Sequence, residues 1–437
     1  MKLSSSHSDN HSEHRSEQRS GQQLLSPLFG AAAVDEQVSD EALLRAMLDA
    51  ERALAQAGAD VGAVPKAAAE GIGAAAAGDI APLDSRQAGN PVVPLVRALG
   101  ERLPEDARPW LHYGATSQDI LDTALMLCVT RAVKAFESPE DACADLVRTY
   151  RRTPMAARTL GQQAGPTTFG LKAAGWLTGL VEARVRLDLP VQLGGATGTL
   201  AAYGDVAVVE RFAERLELGV PVLPWHTNRQ PILDIAAALG KLIVALGKIA
   251  LDVTLLAQTE VAEVSEGTGG GSSAMPHKQN PIDSILVTAA ARRMPGLLTT
   301  LYGLHEQERA SGSWHAEWEP LRELVRLAGS AAARTTRMLA GLQVHPDRMR
   351  ANLDLTGGLV MSEAVAARLA PALGRTAAHD LVARLAREDS FREALIADPD
   401  VRKVLETDQD VDAVLDPMSR LGASETLIDR ALEAYER

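Results

Sequence analysis

Residues 232–264 read ILDIAAALGKLIVALGKIALDVTLLAQTEVAEV, a stretch of 33 residues without a proline. Within it Ile235, Leu239, Leu242, Leu246, Ile249, Val253 and Leu256 recur at alternating spacings of four and three. That is a heptad seam sustained for three repeats, the mark of a helix packed lengthwise in a bundle. At about 1.5 Å per residue, the segment predicts a rod roughly 50 Å long. Gly240 and Gly247 lie inside it, and each costs about 1 kcal/mol against alanine. Close approach of a neighbouring helix is the expected reason for both.

The same helical character extends in both directions. Ser39 or Asp40 can cap a segment whose apolar residues Leu43, Leu44, Met47, Leu48 and Leu54 share one face, with an end expected at Gly58. A second long segment runs from Ile282 to about Leu342, with kinks or breaks expected at Pro295 and Pro320. Runs of alternating β-branched residues are scarce, so no sheet is expected and the fold class reads as all-α. Gly357-Gly358 and the weaker patterning beyond them suggest a smaller C-terminal unit.

Composition narrows the function. The 437 residues carry 44 basic and 57 acidic side chains, a formal net charge of −13. That argues against a general nucleic-acid or anionic-membrane surface, both of which need basic patches. An aromatic content of 3% disfavours base-stacking platforms. Two cysteines, Cys128 and Cys143, cannot build a disulfide framework or a cysteine-rich metal site. No apolar run reaches the roughly 20 residues of a membrane span, and no secretory h-region opens the chain. These features predict a cytoplasmic protein. Residues 1–23 are almost wholly polar and read as disordered. A metal-binding tract at His7, His11 and His14 is the sharper alternative.

The stretch that carries chemistry is Gly267-Thr268-Gly269-Gly270-Gly271-Ser272-Ser273-Ala274-Met275-Pro276-His277-Lys278-Gln279-Asn280-Pro281. Four glycines in five residues let backbone approach a ligand closely. Two serines, a lysine and an asparagine follow within nine residues. This set suits proton abstraction beside a carboxylate. The lysine neutralises the carboxylate, backbone N–H groups and the amide hold the developing enolate, and a serine oxygen takes the proton. A serine is a poor base unless its alkoxide is stabilised, so the site must be electropositive and closed to water. On composition alone, a glycine linker before a capped helix explains the stretch equally well.

GSSAMPHKQNP closely resembles the signature of the fumarase/aspartase superfamily, usually GSSxMPxKxNP. The resemblance implies a three-domain fold with a central long-helix bundle shared in a homotetramer. The division expected is a polar tail over 1–24, an N-terminal helical domain over 25–111, the bundle over 112–355 and a C-terminal helical domain over 356–437. It implies Ser272 as the catalytic base, Lys278 as a second catalytic residue and Asn280 as an enolate contact. The segment His112-Tyr113-Gly114-Ala115-Thr116-Ser117-Gln118-Asp119 resembles the family's first conserved region, where Thr116 and Ser117 bind a substrate carboxylate. Arg158-Thr159-Leu160-Gly161-Gln162-Gln163 falls on the second region. Further substrate contacts implied are His112, Arg158, Gln162, His226, Arg229, Ser273, Met275 and Arg309. No metal or cofactor is implied, and the substrate is a small di- or tricarboxylate.

Two departures bear on which branch the chain follows. Many members carry a general-acid histidine where this chain has Leu160, and leucine transfers no proton. The segments Ala88–Val96, Pro224–Arg229, Gly312–Glu319 and Asn352–Leu359 are similar to the bacterial 3-carboxy-cis,cis-muconate cycloisomerases, a branch that also lacks that histidine. Trp225, Trp314 and His315 fall within them and read as packing or pocket residues. The cycloisomerases usually carry arginine at the position of Gln279, and its loss removes a bidentate carboxylate partner. Ala157 also stands where glycine is usual. The main reading is therefore a carboxymuconate cycloisomerase. The alternative is a C–N lyase that releases fumarate from a nitrogen-substituted succinate such as nitrosuccinate, where the leaving group needs little protonation. A non-catalytic structural protein is the third reading, opposed by Ser272, Lys278 and Asn280 occurring together.

The rod constrains any such site. Arg229 precedes its start and Ser272 follows its end, so if both serve one site they must come from different chains packed antiparallel.

Overall fold

The computed structural model describes residues 24–80, 83–267, 270–271, 275 and 277–437. The polar tail and its three histidines lie outside the described residues. Helix α1 (Asp40–Asp60) starts where expected, with the Ser39 hydroxyl accepting the Ala42 N–H at 3.0 Å. It runs past Gly58, whose absent side chain leaves room for Val64, and ends before Gly62 at φ +76°. The left-handed glycine is therefore the terminator, and the earlier one serves packing. Helices α2 (Ser117–Lys134) and α3 (Phe169–Glu182) follow, α2 packing on α1.

The predicted rod is helix α4, Gln230–Leu256, and its seven seam residues are all buried. It is shorter than expected. Its 27 residues span about 40 Å. Beyond Ala257 the chain turns, with Ala262 at φ +50°, and enters a strand at Val264. Helix α5 (Ile282–Leu301) returns antiparallel to α4. A side chain at Gly240 would meet Leu298, and one at Gly247 would meet Ala291, so seven residues forward on one helix is seven back on the other. Helix α6 (Ser313–Ala340) runs parallel to α4. Glu317 near its start bonds Arg229, and Gly341 past its end accepts the Gly267 N–H. Pro295 and Pro320 lie inside these helices rather than breaking them. The break falls between Tyr302 and Gly312, the latter at φ +109°.

The expectation of no sheet is corrected by three small two-stranded ladders among the described residues. Strands β1 (Pro154–Thr159) and β2 (Gln162–Thr168) form a hairpin whose loop residues, Leu160 and Gly161, both have positive φ. That is the condition for the tight turn matching strand twist. Ala157 alone opposes Ala164 and Gly165, a bulge. Strand β3 (Val264–Glu266) pairs with Leu342–Val344 from the far end of α6, while β4 (Gly270–Gly271) pairs with β5 (Gln279–Asn280). These ladders are backbone constructions of few residues, too short to leave an alternating pattern.

A second buried cluster, from Val365 to Val411, sits apart from the main core. The last helix, α7 (Ser424–Glu436), instead packs on α3 and buries Ile428 in the main core. No helix among the described residues is long and apolar enough to cross a membrane. On α4, Val244, Leu251 and Leu255 are 59%, 48% and 48% exposed, an apolar stripe on the side away from the core.

The two rod glycines should answer differently to alanine. A Cβ at Gly247 would lie 2.9 Å from that of Ala291, which has no freedom to withdraw, whereas at Gly240 the nearest atom is a Leu298 methyl at 3.3 Å. Gly247→Ala should lower stability by about 1–3 kcal/mol from overpacking, while Gly240→Ala should be neutral or stabilising by up to about 1 kcal/mol. Thermal melts of both variants check this, and equal effects would contradict the helix register.

Candidate active site

The candidate residues fall into two sets at opposite ends of α4. At its start, Thr116 caps α2 and donates its backbone N–H to Asp119 at 2.9 Å. The Asp119 carboxylate has no exposed surface and accepts from three further donors: the Gly194 and Gly195 N–H groups at 3.1 and 2.9 Å, and His226 Nε2 at 2.6 Å. An ionised carboxylate only accepts, so His226 carries its proton on Nε2. Gly194 is required here, because a Cβ would lie 2.8 Å from the His226 ring and 2.7 Å from Pro224. Arg309, from the segment between α5 and α6, donates to the Gly195 carbonyl at 2.6 Å. Partial burial lowers its pKa, against the opposing charges of Asp119 and Asp122.

Arg229 differs from its expected role. It is 5% exposed and lies between two buried carboxylates, Asp122 at 2.7 and 3.1 Å and Glu317 at 2.8 and 3.1 Å. A fifth N–H reaches the Trp225 carbonyl at 3.4 Å, and the guanidinium stacks on the Trp225 ring. Burial alone would lower its pKa, but the two carboxylates outweigh that and the net displacement is upward. Every donor is engaged, so none is left for a substrate carboxylate. Trp314 donates to Asp122 at 2.9 Å and Trp225 to the Val191 carbonyl, so both tryptophans brace this network. His315 is exposed and stacks against Trp314 and Trp318. His112 approaches the same region with Nδ1 2.6 Å from Glu51.

The second set lies at the far end of the rod. Arg158, on the bulged hairpin, makes a two-pronged bond to buried Glu263 at 2.9 and 2.7 Å. Asn352 donates to the same carboxylate at 2.8 Å, and Gln163 to the Asn352 carbonyl. Leu160 and Gln162 are exposed at the hairpin tip. Nearby, Glu266 accepts the N–H groups of Asp283 and Ser284 at 3.1 and 2.9 Å, a carboxylate on the positive end of α5. Asp283 is gripped by Arg334 and Arg337. This anchored start of α5 holds the β4–β5 ladder, whose β5 carries Gln279 and Asn280. Lys278 and Met275 are exposed beside it. Ser272 and Ser273 lie outside the described residues. Among the described residues no group of three or more His, Cys, Asp or Glu can hold a metal ion.

Within one chain, then, His112, Thr116, Ser117, His226, Arg229 and Arg309 gather at one end of α4. Arg158, Gln162, Met275, Lys278 and Asn280 gather at the other. Sequence reasoning missed the carboxylates that organise both ends: Glu51, Asp119, Asp122, Glu317 and Glu263. Only Asp119 left a local signal, its spacing of three from Thr116 being that of a capping box.

Comparison with known proteins agrees with this architecture. Residues 23–296 match the family described as Lyase, and residues 358–431 match the adenylosuccinate lyase C-terminus family. The chain is 47% identical to a nitrosuccinate lyase of Streptomyces davaonensis, over 95% of both chains. It is 41% identical to a 3-carboxy-cis,cis-muconate cycloisomerase of Bradyrhizobium diazoefficiens, over 95% of this chain and 98% of that one. The crystal structure of the 3-carboxy-cis,cis-muconate lactonizing enzyme from Pseudomonas putida superposes with a TM-score of 0.88 at 38% identity, covering 95% of this chain and 99% of that one. The chain belongs to the fumarase/aspartase superfamily, near its 3-carboxy-cis,cis-muconate cycloisomerase branch, and is a lyase or cycloisomerase acting on a small carboxylate substrate.

Proposed function

We propose that this enzyme is a C–N lyase that eliminates nitrite from nitrosuccinate, or the corresponding nitrogen group from a close nitrogen-substituted succinate, releasing fumarate. The observation that carries the reading is the 47% identity to a nitrosuccinate lyase across 95% of both chains, against 41% for the cycloisomerase of Bradyrhizobium. This reverses the order expected from sequence, where the carboxymuconate reading stood first. Gln279 supports the reversal, since it offers no charge to a third carboxylate. Leu160, which offers no proton to a leaving group, is compatible with either reading.

In the proposed reaction Ser272 takes a proton from the carbon beside one carboxylate. The electron pair delocalises into that carboxylate, whose growing charge meets Lys278 and Asn280. The pair then forms the carbon–carbon double bond as the C–N bond breaks, and nitrite leaves with the bonding electrons. Nitrite is a weak base and departs without a general acid, so Leu160 costs little. Thr116 and Ser117, with Arg309, receive the other end of the substrate. Because these groups stand about 40 Å from the end of α4 that carries Lys278 and Asn280 within one chain, we place the complete site between subunits of a homotetramer. The exposed stripe of Val244, Leu251 and Leu255 on α4 supports packing of rods from different chains.

Incubation of the purified enzyme with 2-nitrosuccinate should yield fumarate and nitrite in equal amounts, followed in the ultraviolet and by nitrite assay. Consumption of 3-carboxy-cis,cis-muconate with no fumarate from nitrosuccinate would overturn the reading in favour of cycloisomerisation. Ser272→Ala should abolish turnover with the oligomer intact. A variant keeping a tenth of the wild-type kcat has lost only about 1.4 kcal/mol of transition-state stabilisation, too little for the base. Gln279→Arg should shift the ratio of kcat/KM values toward carboxymuconate by the value of one charge-assisted hydrogen bond, about 1.5–3 kcal/mol. An unchanged ratio would mean that Gln279 does not read the substrate.

A further inference from the structure

Glu51 sits in the middle of α1, and its carboxylate has no exposed surface. One oxygen, Oε1, lies 2.6 Å from Nδ1 of His112, while the other, Oε2, is buried without any hydrogen-bond partner. An ionised carboxylate desolvated with half its acceptor capacity unused is costly, and a nearby cation offsets that cost. His112 supplies a second anomaly. Its φ is +57°, a left-handed conformation that costs a non-glycine residue about 1–2 kcal/mol. Such strain persists where the surroundings over-determine it, most often at functional sites. The imidazole is otherwise open: its side chain is 19% exposed, and no hydrogen bond engages Nε2. Four residues later, Thr116 caps the 18-residue helix α2.

We propose that Glu51 is a positioning residue that holds His112 as an imidazolium, leaving its Nε2–H as the charged donor to an anionic oxygen of the substrate at the start of α2. The inference rests on the proposed elimination only for where the substrate lies. A fixed cation there suits a group that leaves as an anion, such as nitrite, because it stabilises the departing charge without giving up a proton. It also supplies near Thr116 a charge that Leu160 and Gln279 do not provide elsewhere.

The charges that act on the ring are those of Glu51 from α1 and Asp119 from α2, and the Tyr203 phenol feels the same two carboxylates. Burial pushes the Tyr203 phenol up, which keeps it neutral, and its hydroxyl donates to the Tyr113 carbonyl at 2.7 Å. Arg309 lies on the Gly195 carbonyl, beside Asp119. Burial by itself pulls the His112 pKa down. The charge and hydrogen bond of Glu51, helped by the charge of Asp119, reverse that pull and leave it raised. The imidazolium is thus present below the raised pKa and lost as pH climbs through it. Without Glu51 the burial effect dominates, and the charge disappears at lower pH.

The test is the pH dependence of kcat/KM for wild type and Glu51→Gln, from about pH 6 to about pH 9, with whichever substrate turns over. Wild type should lose activity on an alkaline limb. In Glu51→Gln that limb should move toward acid by at least about one unit, with the loss carried mainly by KM and partly restored in Glu51→Asp. A loss of equal size at every pH, or an alkaline limb that stays in place, overturns the proposal. Should Glu51→Gln fail to fold, His112→Gln reads the same claim, because its neutral amide has nothing to titrate. The alkaline limb should then be absent, and its persistence at the wild-type position overturns the proposal. Neither result depends on whether nitrosuccinate or carboxymuconate proves to be the substrate, which the product assay decides separately.

Discussion

A straight helix of 27 residues cannot be shortened, and α4 therefore fixes how far apart its two ends stand. The seam from Ile235 to Leu256 is buried against α5 and α6, so bending the rod would expose its whole apolar face. The candidate polar residues among those described are attached to one end or the other. The antiparallel return of α5 carries the β4–β5 ladder to the far end, and the parallel course of α6 brings Trp314 and Glu317 to the near end. Gly240 and Gly247 mark the register of α5, and the Arg229–Glu317 and Gly267–Gly341 bonds mark that of α6.

Each end is held by buried carboxylates that bind several donors, apart from Glu51, whose Oε2 is left without a partner. Asp119 ties four donors from three separate stretches of chain, and Glu263 ties the Arg158 hairpin to Asn352. Arg229 joins α2 to α6 through Asp122 and Glu317. Removing one partner from such a set leaves an uncompensated buried charge, at a cost of about 3–5 kcal/mol. The geometry of the near end is thereby rigid before any substrate arrives. Rigidity is what an elimination needs, because donors aimed at a developing charge help most when they do not have to reorganise.

The sequence made the rod legible because burial on a helix repeats locally, at intervals of three and four. It hid the end of the rod, since Val261 and Val264 prolong the apolar pattern through a turn. It hid the strands because their partners are distant, as with Ser265 and Gln343, 78 positions apart. The signature from Ser272 to Pro281 was legible as a motif, and the cap at Ser39 as a local rule. The pairing of His226 with Asp119 across 107 positions was not, nor was the enclosure of Arg229, because both depend on how remote segments meet. An arginine that looks free in one dimension proved to have all its donors engaged in three.

The central claim is that two ends of different rods make one site. It is tested by mixing two inactive chains, one carrying Ser272→Ala and the other Thr116→Val with Ser117→Ala, then unfolding and refolding them together. With random assembly, about a quarter of the sites combine an unaltered α2 start with an unaltered Ser272, and activity should return to about that fraction of wild type. Mixed oligomers that form yet show no recovered activity would contradict the shared site.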